Sequence, residues 1–271
     1  HKSHFFDELK KFNPKNFDAI FHLGACSSTT ETDFDYLWNN NVEFSMRLAE
    51  YAMENKIRYI YASSAATYGA MEQGFSDDEN QLTNLKPINR YGYSKHKFDL
   101  MLLKKGWLKE TVGLKFFNVY GPNEYHKGDM RSMIHKAFGQ IRETGKIKLF
   151  KSYRKEFADG EQKRDFIYVK DCAEVMLWLL ENSQVHGIFN LGTGQARSWN
   201  DLAKAVFTSM NRPVQIEYIE MPKNIRNAYQ YFTQANMDKL RNAGYTQAFT
   251  SLEEGVQDYV KNYLEKDGYL V

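Results

Sequence analysis

Residues 91–97 read YGYSKHK and set a tyrosine four positions ahead of a lysine twice, as Tyr91/Lys95 and Tyr93/Lys97. On a helix, positions i and i+4 share a face, so either pair could hold a phenol beside an ammonium. A neighbouring cation favours the phenolate and would make the tyrosine a usable base. The chain has 18 tyrosines. About one or two Tyr-x-x-x-Lys matches are expected by chance in such a chain, so spacing alone decides nothing. The helical face does separate the pairs. At about 100° per residue, Tyr91, Lys95, Phe98 and Leu102 fall in one stripe, whereas Tyr93, Lys97 and Lys104 lie on a solvated side. A lysine in a stripe that must be buried needs partners, so Tyr91/Lys95 is the pair with a claim to chemistry. The plain alternative is a tyrosine at a helix start beside a snorkelling lysine.

The elements around this pair read as an α/β protein. Short apolar runs alternate with helical patterns, which indicates a Rossmann-type, doubly wound parallel sheet with a smaller α/β substrate-binding lobe. Strands are expected at 19–25, 58–65, 113–121, 164–171 and 187–194, and helices at 33–54, from Tyr91 onward, near 130–143 and at 172–182. The last quarter supplies a strand at 215–222 and helices near 198–209, 233–242 and 251–265. Ser251 with Glu254 forms a capping box for the last helix. The charged stretch 151–165 reads as a flexible surface loop. The expected division gives 1–122, with parts of 160–195, to the dinucleotide-binding domain. Residues 123–160 and 196–271 then form mainly the substrate lobe.

Bulk properties narrow the class. The 271 residues are 42% hydrophobic and 26% charged with a net charge of +2, an ordinary soluble composition with no basic patch that would call for nucleic acid. No apolar run approaches the ~20 residues that cross a bilayer; the longest, VMLWLL at 175–180, is a buried helix face. Cys26 and Cys172 lack metal spacing and read as reduced thiols of a cytoplasmic protein, so no metal is expected. A dinucleotide sheet normally opens on a glycine-rich turn that holds the pyrophosphate. No G-x-G-x-x-G occurs here, and GTGQA at 192–196 comes late. The chain opens on HFFDELKKF, a helical pattern, so the numbering is expected to start after the opening β-α-β unit.

Together FHLGACSSTTE, ASSAATYG, YGYSK, FFNVYGP, RDFIYVKD and GIFNLGTG resemble the motif blocks of the extended short-chain dehydrogenase/reductase superfamily that acts on nucleotide sugars. The resemblance covers the whole chain. Within the superfamily, GACSSTTE, SSAATYG, FNVYGPNEYHKG and AYQYFTQAN are similar to the branch that inverts carbon 6 of an ADP-linked heptose for the lipopolysaccharide inner core. The first tyrosine of YGxSK is the family's, in agreement with the helical face.

The resemblance implies roles for individual residues. Tyr91 would exchange a proton with the substrate hydroxyl. Lys95 would hold the nicotinamide ribose and depress the Tyr91 pKa. Ser64 would hydrogen-bond the reacting hydroxyl, although Ser63, Ser64 and Thr67 could equally satisfy loop backbone groups. Lys127 would be a second base facing Tyr91 across the sugar and would also touch the cofactor; a lysine in a polar loop is otherwise simply solvated. Leu23, Gly24, Ala25, Cys26, Ser27, Asn40 and Val119 would contact the dinucleotide, expected to be NADP rather than NAD. Asn118, Asp129, Lys136, Phe150, Lys151, Ser152, Tyr153, Arg164 and Tyr229 would frame the nucleotide sugar. A guanidinium fork at Arg164 suits a diphosphate, and the alternative there is an ion pair with Asp165 or Asp171. The family also forms homo-oligomers. Two rival readings stand beside this one. A UDP-sugar 4-epimerase or dehydratase is the nearer; a dehydratase would place acidic residues beside the serine, and SSAATYG has none. A non-catalytic dinucleotide sensor is the other, and retention of Ser64, Tyr91 and Lys95 argues against it.

Overall fold

The computed structural model describes residues 2–70, 75–226 and 229–270; Ala228, which opens the AYQYFTQAN block, lies outside them. Helix α1 (Lys2–Leu9) leads into β1 (Ala19–His22). Next come α2 (Phe34–Leu37), a π-wound stretch Trp38–Glu43 and α3 (Phe44–Glu54), which run on as one helix where a single helix 33–54 is expected. Strand β2 (Arg58–Ser64) precedes α4 (Arg90–Lys105), followed by β3 (Thr111–Phe116) and β4 (Asn118–Tyr120). The remaining elements are α5 (Met133–Thr144), β5 (Ile147–Phe150), β6 (Lys163–Tyr168), α6 (Val169–Glu181), β7 (Gly187–Leu191), β8 (Ala196–Ser198), α7 (Trp199–Ser209), β9 (Ile216–Ile219), α8 (Lys223–Arg226), α9 (Asp238–Asn242) and α10 (Leu252–Tyr259). Among the described residues no helix is long and apolar enough to cross a membrane, and no cluster of His, Cys, Asp and Glu could hold a metal.

Strands β1, β2, β3 and β7 form a parallel sheet in that order, with Ala19 opposite Arg58, Tyr59 opposite Thr111 and Val112 opposite Gly187. Parallel strands covered on both faces are apolar throughout, and Tyr59, Ile60 and Tyr61 are accordingly fully buried. Because the strands run the same way, the loops after β1 and β2 emerge side by side at one edge, where open α/β sheets bind ligands. A second core joins Ile134, Phe138 and Ile141 of α5 to Leu202 and Val206 of α7 and Val256 and Tyr259 of α10. Ala235, Met237, Leu240 and Tyr245 pack on the sheet core, although they lie in the stretch read from the sequence as lobe.

Several expectations need correction. The strand expected at 113–121 breaks at Phe117, so that β3 pairs within the main sheet while β4 pairs with β6. The helix expected over 233–242 shrinks to Asp238–Asn242, because Ala235 gives its backbone N–H to the Asp165 carboxylate at 3.0 Å instead of to a helical turn. The charged stretch 151–165 is tied down rather than loose. Ser152 N–H donates to Asp159 at 2.7 Å, Tyr153 N–H donates to the Tyr231 hydroxyl at 2.9 Å, and Gln162 is fully buried.

Candidate active site

Helix α4 begins where the Asn89 side chain accepts the Gly92 N–H at 2.7 Å, a cap at the head of YGYSK. Its buried stripe is the one expected: Tyr91, Lys95, Phe98 and Leu102 are all buried, while Tyr93 is exposed. Gly92 lets the helix press against the turn after β2, since a Cβ there would lie 2.6 Å from the Ala66 carbonyl oxygen. That close approach brings the Tyr91 phenol against the Ser64 hydroxyl, which stabilises the phenolate by a side-chain hydrogen bond. Ser64 also serves its own backbone, accepting the Ala66 N–H at 3.1 Å and so capping the short turn Ala65–Tyr68.

Lys95 is 6% exposed and donates to the Ala62 carbonyl at 2.8 Å. Burial lowers its pKa from 10.5 to about 8, with the Asp99 carboxylate one turn further on pulling the other way. The expectation that Lys95 depresses the Tyr91 pKa is not met. Burial raises the Tyr91 pKa, only the Ser64 hydrogen bond opposes it, and the Lys95 ammonium is engaged with a backbone carbonyl. Desolvation outweighs local attraction when both groups are buried and the cation is aimed elsewhere.

Two hollows lie near the pair. Ser64, Asn118, Arg164 and Tyr229 line a cavity of about 500 Å³ together with Thr29 and Asn89. Gly24, Ala25, Cys26 and Asn40 line a groove of about 620 Å³ beside β1. Ser64 contacts Tyr91 from the first hollow, and Cys26 of the second lies close enough to act electrostatically on both Tyr91 and Lys95. Neither Tyr91 nor Lys95 lines either hollow; the buried pair is linked to the first through Ser64 and to the second through Cys26.

One end of the groove is made of small residues, Gly24, Ala25 and Cys26, with Asn40 at its wall, and Phe5, Leu9, Phe17, Ile20, Phe21 and Phe44 make the rest largely apolar. The residue that fixes this loop is one that sequence reasoning missed, Asn41. Its fully buried amide accepts the Cys26 N–H at 2.8 Å and donates to the Cys26 carbonyl and the Ser94 hydroxyl, each at 3.0 Å. Ser94 in turn donates to the Tyr91 carbonyl at 2.7 Å, so one asparagine ties the β1 loop to α4. The run NNN in WNNNV was the available signal, but choosing its last member over Asn40 required knowing the π winding.

Arg164, on β6, is 7% exposed and donates to the Lys163 carbonyl at 2.8 Å and to the Gln230 carbonyl. Neither Asp165 nor Asp171 pairs with it: Asp165 accepts from Thr193, Gly194 and Ala235, and Asp171 from Thr250. Among the described residues no carboxylate balances this guanidinium, and burial lowers its pKa. A buried cation facing a cavity without a counter-charge is prepared for an anionic ligand.

Other expected contacts stand outside the cavity walls. Leu23 is exposed, Ser27 does not line the groove, and Val119 packs on the sheet core. Lys127 lies exposed on the turn Tyr125–Met130, and Lys136 donates to the Asp129 carbonyl at 2.6 Å. Lys151 pairs with Glu220 at 2.9 Å, the Tyr153 hydroxyl donates to the same carboxylate, and the Ser152 hydroxyl donates to the Arg154 carbonyl. Phe150 reaches the cavity indirectly, its ring edge-on to Tyr229 at 6.2 Å.

The model of the NAD dependent epimerase/dehydratase family matches residues 6–192, the span that contains Ser64, Tyr91 and Lys95. The chain belongs to that family. Among its relatives, an ADP-L-glycero-D-manno-heptose-6-epimerase of Nitratidesulfovibrio vulgaris (strain DP4) is 58% identical over 251 residues, covering 93% of this chain and 78% of the relative. One of the same name from Fusobacterium nucleatum is 50% identical over 279 residues, covering 97% and 84%. The crystal structure of the Helicobacter pylori ADP-L-glycero-D-manno-heptose-6-epimerase superimposes with a TM-score of 0.79 at 30% identity, over 94% of this chain and 74% of that one. The family is named for its dependence on a nicotinamide dinucleotide.

Proposed function

We propose that this chain inverts carbon 6 of ADP-D-glycero-D-manno-heptose, giving ADP-L-glycero-D-manno-heptose for the lipopolysaccharide inner core. The observation that carries this is the buried set Ser64, Tyr91 and Lys95, linked to the cavity through Ser64 and to the groove through Cys26. Relatives at 50–58% identity over nearly the whole chain supply the substrate. A nicotinamide dinucleotide bound in the groove would supply reversible hydride exchange with the sugar carbon.

The chain's own residues divide the remaining work. Tyr91 takes the proton of the 6-hydroxyl as the carbon is oxidised, and Ser64 holds that oxygen while stabilising the phenolate. Lys95 supplies a buried cation for the ribose hydroxyls, while support for the Tyr91 phenolate falls to Ser64. Arg164, with Tyr229 beside it, grips the diphosphate. After the carbonyl intermediate turns, Lys127 serves the hydroxyl of the other epimer; its turn must then close over the sugar, since it is now exposed. The resemblance to the branch favours NADP over NAD, a homo-oligomer and a cytoplasmic setting.

Incubating the purified chain with either ADP-heptose epimer and following carbon 6 by proton NMR tests the reading, with UDP-galactose as the comparison. Both heptose epimers should converge on one equilibrium mixture while UDP-galactose stays unchanged. Tyr91→Phe should abolish the inversion, and turnover undiminished in that variant would refute the assignment. The nucleotide released on denaturing the protein decides NADP against NAD.

A further inference from the structure

Behind the catalytic turn lies a second charged pair that the reaction does not touch. Asp99 of α4 and Lys115 of β3 are both fully buried, with Lys115 Nζ 3.0 Å from Asp99 Oδ2. The same carboxylate accepts the Tyr61 hydroxyl at 3.0 Å and the Ser63 hydroxyl at 2.7 Å. Lys115 also donates to Thr67 Oγ1 at 2.6 Å and stands 5.1 Å from the centre of the Tyr68 ring. Thr67 passes the connection on, its hydroxyl donating to the Ser64 carbonyl at 2.8 Å. The last three residues of β2 are therefore each held: Ala62 by Lys95, Ser63 by Asp99, and Ser64 by Thr67, which Lys115 fixes.

A buried ion pair is a poor route to stability, because apolar residues of similar volume commonly stabilise as much or more. What apolar residues could not do here is grip two hydroxyls and aim a strand end. We propose that Asp99 and Lys115 are positioning residues of the reaction, a buried pair that holds the end of β2 and its turn so that the Ser64 hydroxyl meets the Tyr91 phenol. The pair acts through Ser64 and touches neither sugar nor dinucleotide. The inference rests on the epimerase reading for its kinetic consequence and on geometry alone for the rest.

Removing either charge by itself strands the other in the core and would unfold the chain. The test therefore uses Thr67→Val, which deletes the linking hydroxyl at constant shape, and the neutral pair Asp99→Asn/Lys115→Met. Thr67→Val should lower kcat by about tenfold to a hundredfold, as expected for a displacement near 1 Å, with KM and dinucleotide content unchanged. The neutral pair should do the same, and Thr67→Ser should restore the rate. Because the effect passes through Ser64, Thr67→Val should slow a Ser64→Ala enzyme no further. Independently of any substrate, amide exchange at residues 65–68 should quicken at least about tenfold more in Thr67→Val than exchange in the rest of the sheet core, with the melting temperature lowered only by the few degrees that two lost hydrogen bonds account for. An undiminished kcat, an equal loss in the Ser64→Ala background, or unchanged exchange at 65–68 would overturn the proposal. A wild-type chain that fails to invert the sugar overturns the functional reading instead, and the exchange measurement still judges the clamp.

Discussion

Lys95→Met should stop turnover and yet make the protein more stable at neutral pH. The ammonium is 6% exposed, and burial lowers its pKa from 10.5 to about 8. The folded value lies below the unfolded one. Below pH 8 both states are protonated, and the native state carries the full cost of a desolvated charge. Between 8 and 10.5 the native state releases its proton first, so stability rises with pH; above 10.5 the cost is gone. A shift of that size corresponds to about 3 kcal/mol below pH 8. Methionine fills nearly the same volume without charge but gives up the hydrogen bond to the Ala62 carbonyl, worth about 1 kcal/mol. Asp99 keeps Lys115 as its partner, so no carboxylate is stranded. The net gain is about 2 kcal/mol at pH 7, which for a chain of this size is a melting temperature higher by about 4–8 °C. Thermal unfolding of both proteins at pH 7 and pH 10 reads the effect, and the gap should nearly close at pH 10. A variant that melts below wild type at pH 7, or gains equally at both pH values, would refute the reasoning.

Ser64→Ala removes the one hydrogen bond that lowers the Tyr91 pKa, so the ascending, acid-side limb of kcat/KM, where the phenolate base forms, should move to higher pH; a limb that stays put would detach Ser64 from Tyr91. Arg164→Lys keeps the charge but loses the fork, and titration calorimetry should show ADP-heptose bound about ten to a hundred times more weakly, with kcat changed far less. Gly92→Ala puts a Cβ 2.6 Å from the Ala66 carbonyl and should force α4 off the turn, lowering kcat sharply even though alanine favours helices; a crystal structure with an unmoved α4 would contradict this.

The sequence made the register of YGYSK legible because burial of a 3.6-residue stripe is a local rule, and Tyr91, Lys95, Phe98 and Leu102 obey it. The parallel sheet was equally legible, since its strands are apolar runs between helical patterns. Long-range compensation was not. The Tyr91 pKa moves upward because burial, which no spacing reports, exceeds every local attraction. Asp165 binds backbone N–H groups of Thr193, Gly194 and Ala235. The blocks RDFIYVKD and GIFNLGTG thus meet for structural reasons, and this same contact shortens the helix expected at 233–242. Lys115 on β3 and Asp99 on α4 gave no signal at all, since a charged residue in a strand or helix reads as solvated until its neighbours are known.

The widened turn at Trp38–Glu43 has a consequence for how this helix can change. Five residues between hydrogen-bonded partners, where an ordinary turn takes four, swing the next side chain through roughly a quarter circle. That offset lets Asn40 reach the groove wall while Asn41 points inward to hold Cys26 and Ser94. Excising one residue from 38–43 would heal the winding into a regular coil and turn one of these two amides away from its task. The surplus residue is thus an indel-sensitive point in an otherwise forgiving helix.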